Sequence, residues 1–96
     1  MIYSFEWDTN KSKKNLVKHS VSFEDAASIF RDPNALTLFD DGHSEDEERW
    51  ITIGLSSSGK LLVVNHTFKE IDLGKCIIRI FSSRKASNSE TKQYRG

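Results

Sequence analysis

The chain has 96 residues, of which 29% are charged and 36% apolar, and its formal net charge is zero. This composition is typical of one globular domain, spanning residues 1–96, and argues against a disordered or membrane protein, since no apolar run approaches the roughly 20 residues of a membrane span. The N-terminal residues lack the order of a secretory signal and Cys76 is the single cysteine, so we expect a cytoplasmic protein without disulfides.

The charges are distributed unevenly along the chain. Residues 1–31 carry five basic and four acidic groups, residues 32–59 carry one and seven, and residues 60–96 carry eight and three, which gives +1, −6 and +5. This separation predicts either a basic face for an anionic partner or ordinary mixed surface charge.

The first elements in chain order are a short strand, IYSFEW, and a helix over about residues 9–18 for which Asp8 is a suitable N-cap. One face of this helix follows i, i+3, i+4, i+7 spacing and is polar and basic: Lys11, Lys14, Asn15 and Lys18. The opposite side leaves only Leu16 and Val17 for the core.

A second helix is predicted within VSFEDAASIFRDP. Ser22 is the expected cap, Asp25 stands three residues later as in a capping box, and Pro33 ends the helix. The two helices form a tight hairpin with His19 at its corner.

From residue 35 the pattern changes to the alternation of strands. The expected strands are ALTLFD, RWITIGLS, LLVVNHTF and CIIRIFSS, and the expected turns are SSSGK and KEIDLGK. Short connections predict antiparallel pairing, and the tail from about Arg84 to Tyr94 returns to helical composition. The predicted fold class is α+β, with the order β-α-α-β-β-β-β-α and an antiparallel sheet packed with helices.

Arg79 lies in the middle of CIIRIFSS, and its same-face neighbours at period two are Ile77 and Phe81. A guanidinium on a partly apolar surface suits the binding of phosphate, because its planar fork stays charged and can bind bidentately. The alternative is a structural ion pair with Glu47 or Glu48 of the acidic middle segment.

Arg84 is the second candidate for phosphate binding. It is predicted at the junction between the last strand and the last helix, where backbone amides favour an anion, and the alternative is a solvated side chain. His19 and Lys18 are candidates for proton transfer; the alternatives are a histidine bound to the last carbonyls of its helix and a solvated lysine. His66 shares strand parity with apolar residues and is expected to be packed.

Aromatic and helical residues supply candidates for RNA contact. Trp50 and Tyr94 could stack on bases, although each is also suited to packing. Glu90, one helical turn before Tyr94, could orient a basic group or pair with a lysine, and Lys11 and Lys14 are candidates for the RNA backbone.

Several stretches together resemble the BrnT family, ribonuclease toxins of type II toxin-antitoxin systems with a fold similar to RelE. The resemblance covers nearly the whole chain and rests on W-D-x-x-K, N-x-x-K-H, E-E-R-W-x-x-I-G and I-R-I-x-S-x-R-x-A, which occur here in the family's order. Ser20 departs from the pattern, because the family usually has glycine after the histidine.

The resemblance implies an enzyme that cleaves RNA without a metal or cofactor and so arrests translation. It also implies a cognate, BrnA-like antitoxin, a complex of two toxins with two antitoxins, and DNA binding through the antitoxin. In metal-free cleavage the 2′-hydroxyl is the nucleophile, so the enzyme must stabilise charge on the phosphoryl oxygens, a role that suits Arg79 and Arg84.

Two other functions remain open on the residues. One is a binding module whose basic face captures RNA or a protein without turnover. The other is a metal-dependent nuclease, which would use acidic side chains that show no recognisable ligand spacing: Asp40, Asp41, Glu45, Asp46 and Glu47.

Overall fold

A computed structural model describes residues 1–43 and 47–96. The strands are β1 (Ile2–Glu6), β2 (Leu36–Phe39), β3 (Trp50–Leu55), β4 (Leu61–His66), β5 (Lys69–Asp72) and β6 (Lys75–Lys85). The helices are α1 (Thr9–His19), α2 (Phe23–Ser28) and α3 (Asn88–Arg95), with short 3-10 turns at Ile29–Arg31 and Asp41–His43. Within the described ranges, no helix is long and apolar enough to cross a membrane.

The strands form one six-stranded sheet in the order β1-β6-β4-β3-β2, with β5 paired to the first half of β6. The expected antiparallel pairing of β2, β3, β4 and β6 is confirmed, and so is the α+β class. Two details differ from the prediction: β1 runs parallel to β6, which makes the sheet mixed, and the predicted turn KEIDLGK contains β5. The pairing of β1 joins segments that are distant in sequence, which local alternation does not encode. Strand β5 is a short, exposed strand that pairs with the adjacent start of β6 across a tight turn, in which Gly74 has a φ of 78°.

The two faces of the sheet have different surroundings. The helix face packs against α2, and the buried apolar cluster between them consists of Val21, Phe23, Ala26, Ile29, Leu62, Val64, Cys76, Ile78 and Ile80. Because side chains alternate along a strand, Ile77, Arg79 and Phe81 point to the other side of β6, which we call the arginine face.

Helix α1 docks through a polar side chain. Asp8 caps it as predicted, but Asn15, expected on the basic face, is 6% exposed, whereas Leu16 and Val17, expected in the core, are 51% and 87% exposed. The Asn15 amide binds the backbone of β6 beyond the end of β1: its Oδ1 accepts from the Ser83 N–H at 3.1 Å, and its Nδ2 donates to the Ser83 carbonyl at 2.8 Å and the Val21 carbonyl at 3.0 Å. The Asn15 side chain thus provides hydrogen-bond partners for the backbone N–H and carbonyl of Ser83, at an edge of β6 that no strand covers.

Replacing Asn15 with alanine is expected to lower the free energy of unfolding by about 2 kcal/mol, because it leaves buried backbone groups of Ser83 and Val21 without partners. Urea denaturation measures this value, and Asn10→Ala on the exposed first turn of α1 is the matched control. Equal stability of the two variants would contradict the role given to Asn15.

Ser20 ends α1 in the left-handed conformation, with φ of 58° and ψ of 32°, and its N–H donates to the Leu16 carbonyl at 2.9 Å. Glycine adopts this conformation without the steric cost that a Cβ imposes. The variant Ser20→Gly should therefore be more stable by about 0.5–1 kcal/mol, measured as a higher denaturation midpoint. A lower midpoint would show that the serine side chain stabilises the corner.

The last helix begins later than the sequence indicates. Strand β6 continues to Lys85, and α3 starts at Asn88 after a capping box in which the Ser87 hydroxyl accepts from the Glu90 N–H and the Glu90 carboxylate accepts from the Ser87 N–H. Arg84 therefore lies near the junction of strand and helix, as predicted, but it is a residue of β6 four positions before α3, so the predicted helical range from about Arg84 begins too early.

Candidate active site

Arg79 is an exposed residue of the arginine face and lines two surface cavities. The larger, of about 510 Å³, is lined by Glu6, Glu47, Glu48, Thr67, Phe68, Lys69, Ile77 and Arg79. The smaller, of about 290 Å³, is lined by Glu6, Trp7, Asp8 and Arg79. In the part of the chain that the structure describes, Arg79 forms no ion pair with Glu47 or Glu48, so the structural alternative is not what the geometry shows.

Three cations from separate elements meet at the ring of Phe81. The guanidinium carbon of Arg49 lies 4.3 Å from the ring centroid, the ammonium nitrogen of Lys11 5.3 Å, and the guanidinium carbon of Arg79 5.8 Å. All three distances fall within the range of cation–π attraction. We call Lys11, Arg49 and Arg79 the cation cluster.

The fold explains why these side chains converge. Arg79 precedes Phe81 by two residues on the same face of β6, and Arg49 immediately precedes β3. Lys11 lies in the first turns of α1, which occupies the edge of β6 past the last pair of the β1–β6 ladder, Glu6 with Arg79.

Asp8 is the N-cap of α1, and its carboxylate lies close enough to Lys11 and Arg79 to interact with their charges. Its Oδ1 accepts from the N–H of Asn10 at 2.8 Å and of Lys11 at 3.1 Å. The hydrogen bond from the Lys11 N–H holds the pKa of Asp8 below its usual value, helped by the positive charges of Lys11 and Arg79. Asp8 is therefore an anion that caps the helix and faces the cluster.

The cation cluster can bind a phosphate group through several donors at once. Guanidinium groups contribute planar pairs of N–H donors, and an ammonium contributes a compact charge and a transferable proton. Glu6, Glu47 and Glu48 line the larger cavity beside Arg79 and supply carboxylates that could accept a proton. Arg79 belongs to both the cation cluster and the lining of this cavity, so it joins the cationic side chains to carboxylates suited to acid–base chemistry.

Arg84, the second predicted phosphate ligand, lies in a different environment. Its two terminal nitrogens donate to the two carboxylate oxygens of Glu90 at 2.7 and 2.8 Å. This bidentate pair lowers the pKa of Glu90 to about 2 and raises that of Arg84. Five residues of strand separate Arg84 from Arg79, about 16 Å, so the structure does not bring the two arginines together.

Tyr94 and Trp50, the predicted stacking residues, both have packing partners. The Tyr94 hydroxyl donates to Asp32 Oδ2 at 2.5 Å, which raises the pKa of Tyr94 and ties α3 to the segment before β2. Trp50 pairs with His66 across the sheet, on the helix face, and makes edge contacts with Phe39 and Phe68 at 5.0 and 6.1 Å between centroids. Trp50 therefore lies on the face opposite Arg79.

The remaining candidates follow α1 away from the cluster. Lys14 and Lys18 are exposed, and His19 is a half-buried last residue of the helix. From Lys11 the axial distance is about 10 Å to Lys18 and about 12 Å to His19. The predicted proton-transfer groups thus lie at the far end of the helix from the cation cluster.

His66 is buried, which confirms the prediction of a packed histidine, and its imidazole is neutral at pH 7. Its Nδ1 donates to the Thr67 carbonyl at 3.2 Å, and its Nε2 accepts from the Thr52 hydroxyl at 2.6 Å. Burial lowers the pKa of His66 to about 4, although the Thr67 carbonyl partly opposes this effect. The Thr52 oxygen in turn lies 2.8 Å from the Thr37 hydroxyl.

Arg49 of the cation cluster and Phe81, whose ring the cluster contacts, were not among the predicted site residues. A signal for Arg49 exists in the sequence, because it is the single basic residue among seven acidic ones in residues 32–59. Phe81 was noted as a neighbour of Arg79, but alternation alone does not reveal which side chains of other elements reach it.

Of the acidic residues that a metal-dependent nuclease would use, Glu45 and Asp46 lie outside the described residues. Within residues 1–43 and 47–96, no group of three or more Asp, Glu, His or Cys side chains is arranged to hold a metal ion.

Fold and pocket together define a class: a small α+β protein with a mixed sheet and a cationic surface site suited to phosphate groups. Residues 7–90 match the family model described as the ribonuclease toxin BrnT of type II toxin-antitoxin systems. Because this match spans most of the sequence, the chain belongs to the BrnT ribonuclease toxin family. A comparison with curated proteins gives no match.

A solved structure supports the same fold. The crystal structure of the Brucella abortus ribonuclease toxin BrnT superposes with a TM-score of 0.60 over 92% of this chain and 100% of that chain, at 22% sequence identity. At this identity the likeness shows the fold alone, and it is consistent with the family assignment.

Proposed function

We propose that this protein is a metal-independent endoribonuclease that acts as the toxin of a type II toxin-antitoxin system. The observation that carries the proposal is the convergence of Lys11, Arg49 and Arg79 beside a cavity that also contains carboxylates. Family membership supplies the substrate class, since BrnT toxins are ribonucleases.

The chemistry is an attack of the ribose 2′-oxygen on the adjacent phosphorus. The bond from phosphorus to the 5′-oxygen breaks, which leaves a 2′,3′-cyclic phosphate and a free 5′-hydroxyl. Arg79 and Arg49 donate to the non-bridging oxygens, on which negative charge accumulates in the transition state. Preorganised donors of this kind lower the barrier by about 3–4 kcal/mol each.

Proton transfer completes the reaction. A carboxylate of the cavity, Glu6, Glu47 or Glu48, takes the proton of the 2′-hydroxyl, and the Lys11 ammonium gives a proton to the leaving 5′-oxygen. His19 and Lys18 remain the candidates from sequence, but these groups lie nearer to Arg79. Lys14 and Lys18 extend a basic strip along α1 for the RNA backbone.

The residues of α3 have a supporting role in this proposal. Arg84, Glu90 and Tyr94 join β6, α3 and Asp32 through their ion pair and hydrogen bond, so they hold the helix against the sheet. The contacts of Trp50 favour its packing alternative.

The partner in this proposal is a cognate, BrnA-like antitoxin, and the assembly contains two toxins and two antitoxins. DNA is bound through the antitoxin, and the protein acts in the cytoplasm, where its RNA substrates are. The family description supports a protein antitoxin, because it places BrnT in type II systems.

The test uses purified protein without antitoxin and an end-labelled RNA in EDTA. We expect cleavage by the natural sequence and at least about 100-fold slower cleavage by the variant Arg49→Gln, Arg79→Gln. The variant Lys75→Gln, Lys92→Gln removes the same charge at exposed positions and is the matched control.

Two results would replace the proposal. RNA retention that weakens between about 50 and 200 mM salt, without new RNA ends, would identify the non-catalytic binding module. Cleavage that requires added Mg²⁺ or Mn²⁺ would identify a metal-dependent nuclease.

A further inference from the structure

Phe81 occupies an unusual position in β6. Asn65 of β4 pairs with Ser82, whereas the next residue, His66, pairs with Ile80, so the register shift leaves Phe81 without a partner on β4. Such bulges redirect side chains, and they occur often beside active sites. On the other side of β6, the ladder with β1 has already ended at Arg79.

We propose that Phe81 is a positioning residue whose ring holds Lys11, Arg49 and Arg79 together as one phosphate-binding site. This inference rests on the proposed function, because it assigns the cation cluster to RNA. The half-buried ring lies 4.3 to 5.8 Å from each cationic centre.

The physical argument concerns net charge. Three like charges around one point repel one another, and a carboxylate that drew them together would also cancel part of their attraction for phosphate. An aromatic face attracts cations through its quadrupole and adds no net charge. A ring can therefore gather cations without adding a negative charge that competes with a bound anion.

The arrangement of the chain agrees with this role. The Asp8 carboxylate accepts two backbone N–H groups as the cap of α1, so a large part of its acceptor capacity is already used. Phe81 lies within cation–π distance of cations from three parts of the chain: α1, β6 and the residue before β3.

The experiment compares the full-length variants Phe81→Leu, which keeps an apolar side chain without a ring, and Phe81→Trp, which keeps an aromatic face. We expect Phe81→Leu to lower kcat/KM for RNA by about 10- to 100-fold, through weaker RNA binding as well as slower cleavage, and Phe81→Trp to recover most of this loss. Phe39→Leu removes an aromatic ring on the helix face and should leave the rate of the folded protein unchanged.

Binding of pyrophosphate separates the proposed role from base stacking. If the ring positions the cations, Phe81→Leu weakens binding of both RNA and pyrophosphate by about 10-fold, whereas a base platform would affect RNA alone. Thermal denaturation of each variant shows whether a rate loss comes from unfolding. Natural activity of Phe81→Leu, equal impairment of the leucine and tryptophan variants, or loss of RNA affinity alone would each overturn the proposal.

Failure of the proposed function is distinguishable from failure of this inference. If the natural protein binds RNA but does not cleave it, the ribonuclease proposal fails, while the affinities of the leucine and tryptophan variants for RNA and pyrophosphate still decide the role of Phe81. If the natural protein binds neither ligand, both proposals are wrong.

Discussion

The variant Arg79→Ala is expected to cleave RNA about 10²- to 10³-fold more slowly than the natural protein, with little change in melting temperature. Loss of one preorganised donor to a developing oxyanion has an effect of this size. Arg79 is exposed and forms no ion pair within the described part of the chain, so its removal should not disturb the fold.

The variant Arg79→Lys should recover only part of this loss, because an ammonium keeps the charge but not the planar pair of donors. Lys75→Ala is the matched control, since Lys75 is an exposed residue on the same face of the same strand, four positions before Arg79. Rates from single-turnover assays with saturating protein measure the chemical step. A natural rate for Arg79→Ala, or equal losses for Arg79→Ala and Lys75→Ala, would exclude Arg79 from the reaction.

The second large effect is a loss of stability in mild acid that arises from His66. The folded-state pKa of His66 is about 4, below its ordinary value of 6.5, because the side chain is buried. Protons therefore bind the unfolded chain first as pH falls. The stabilisation is complete above about pH 6.5 and is lost as pH falls towards about 4, by a total of about 3 kcal/mol.

Urea denaturation at intervals between pH 7 and 4 measures this effect. We expect the slope to be nearly absent in His66→Gln, whose amide can both donate and accept but does not titrate in this range. The variant His19→Gln is the control, because it makes the same substitution at a less buried histidine, the last residue of α1. The Glu90 carboxylate, with a pKa of about 2, loses its ion pair in a lower pH window. The same slope in His66→Gln and the natural protein would contradict this assignment.

Much of the fold follows from local patterns. The caps at Asp8 and Ser22, and the face on which Arg79 lies, were predicted correctly, because each depends on residues within one element. The parallel pairing of β1 was missed because its partner β6 is distant in sequence, and β5 was missed because it is a four-residue, exposed strand within a segment whose composition indicates a turn.

Asn15 shows most clearly where local reasoning fails. Its helical spacing from Lys11 and Lys18 placed it on the basic face, yet its partners are Ser83, 68 positions away, and Val21. A polar residue can be the one that docks a helix when it meets an uncovered sheet edge, and no periodicity of the helix itself shows such an edge.

The candidate site was predictable to a similar extent. Lys11 and Arg79 were both candidates from the sequence, and the structure places both beside the Phe81 ring, whereas the proximity of Arg49 to this ring is visible only in three dimensions. Their roles in RNA binding and cleavage stay predictions. Arg84 was assigned to phosphate binding from a helix start that the structure places after Lys85, and Glu90 binds its guanidinium instead.

The chemistry of the RNA ends tests the central claim most directly. The natural protein is incubated with RNA in EDTA, and the fragments are labelled at their 5′ ends by a kinase with and without prior phosphatase treatment. We predict free 5′-hydroxyl ends that are labelled without phosphatase, as attack by the 2′-oxygen requires. Ends that carry a 5′-phosphate, or fragments that form only when a divalent metal is added, would contradict a metal-free reaction at the cation cluster.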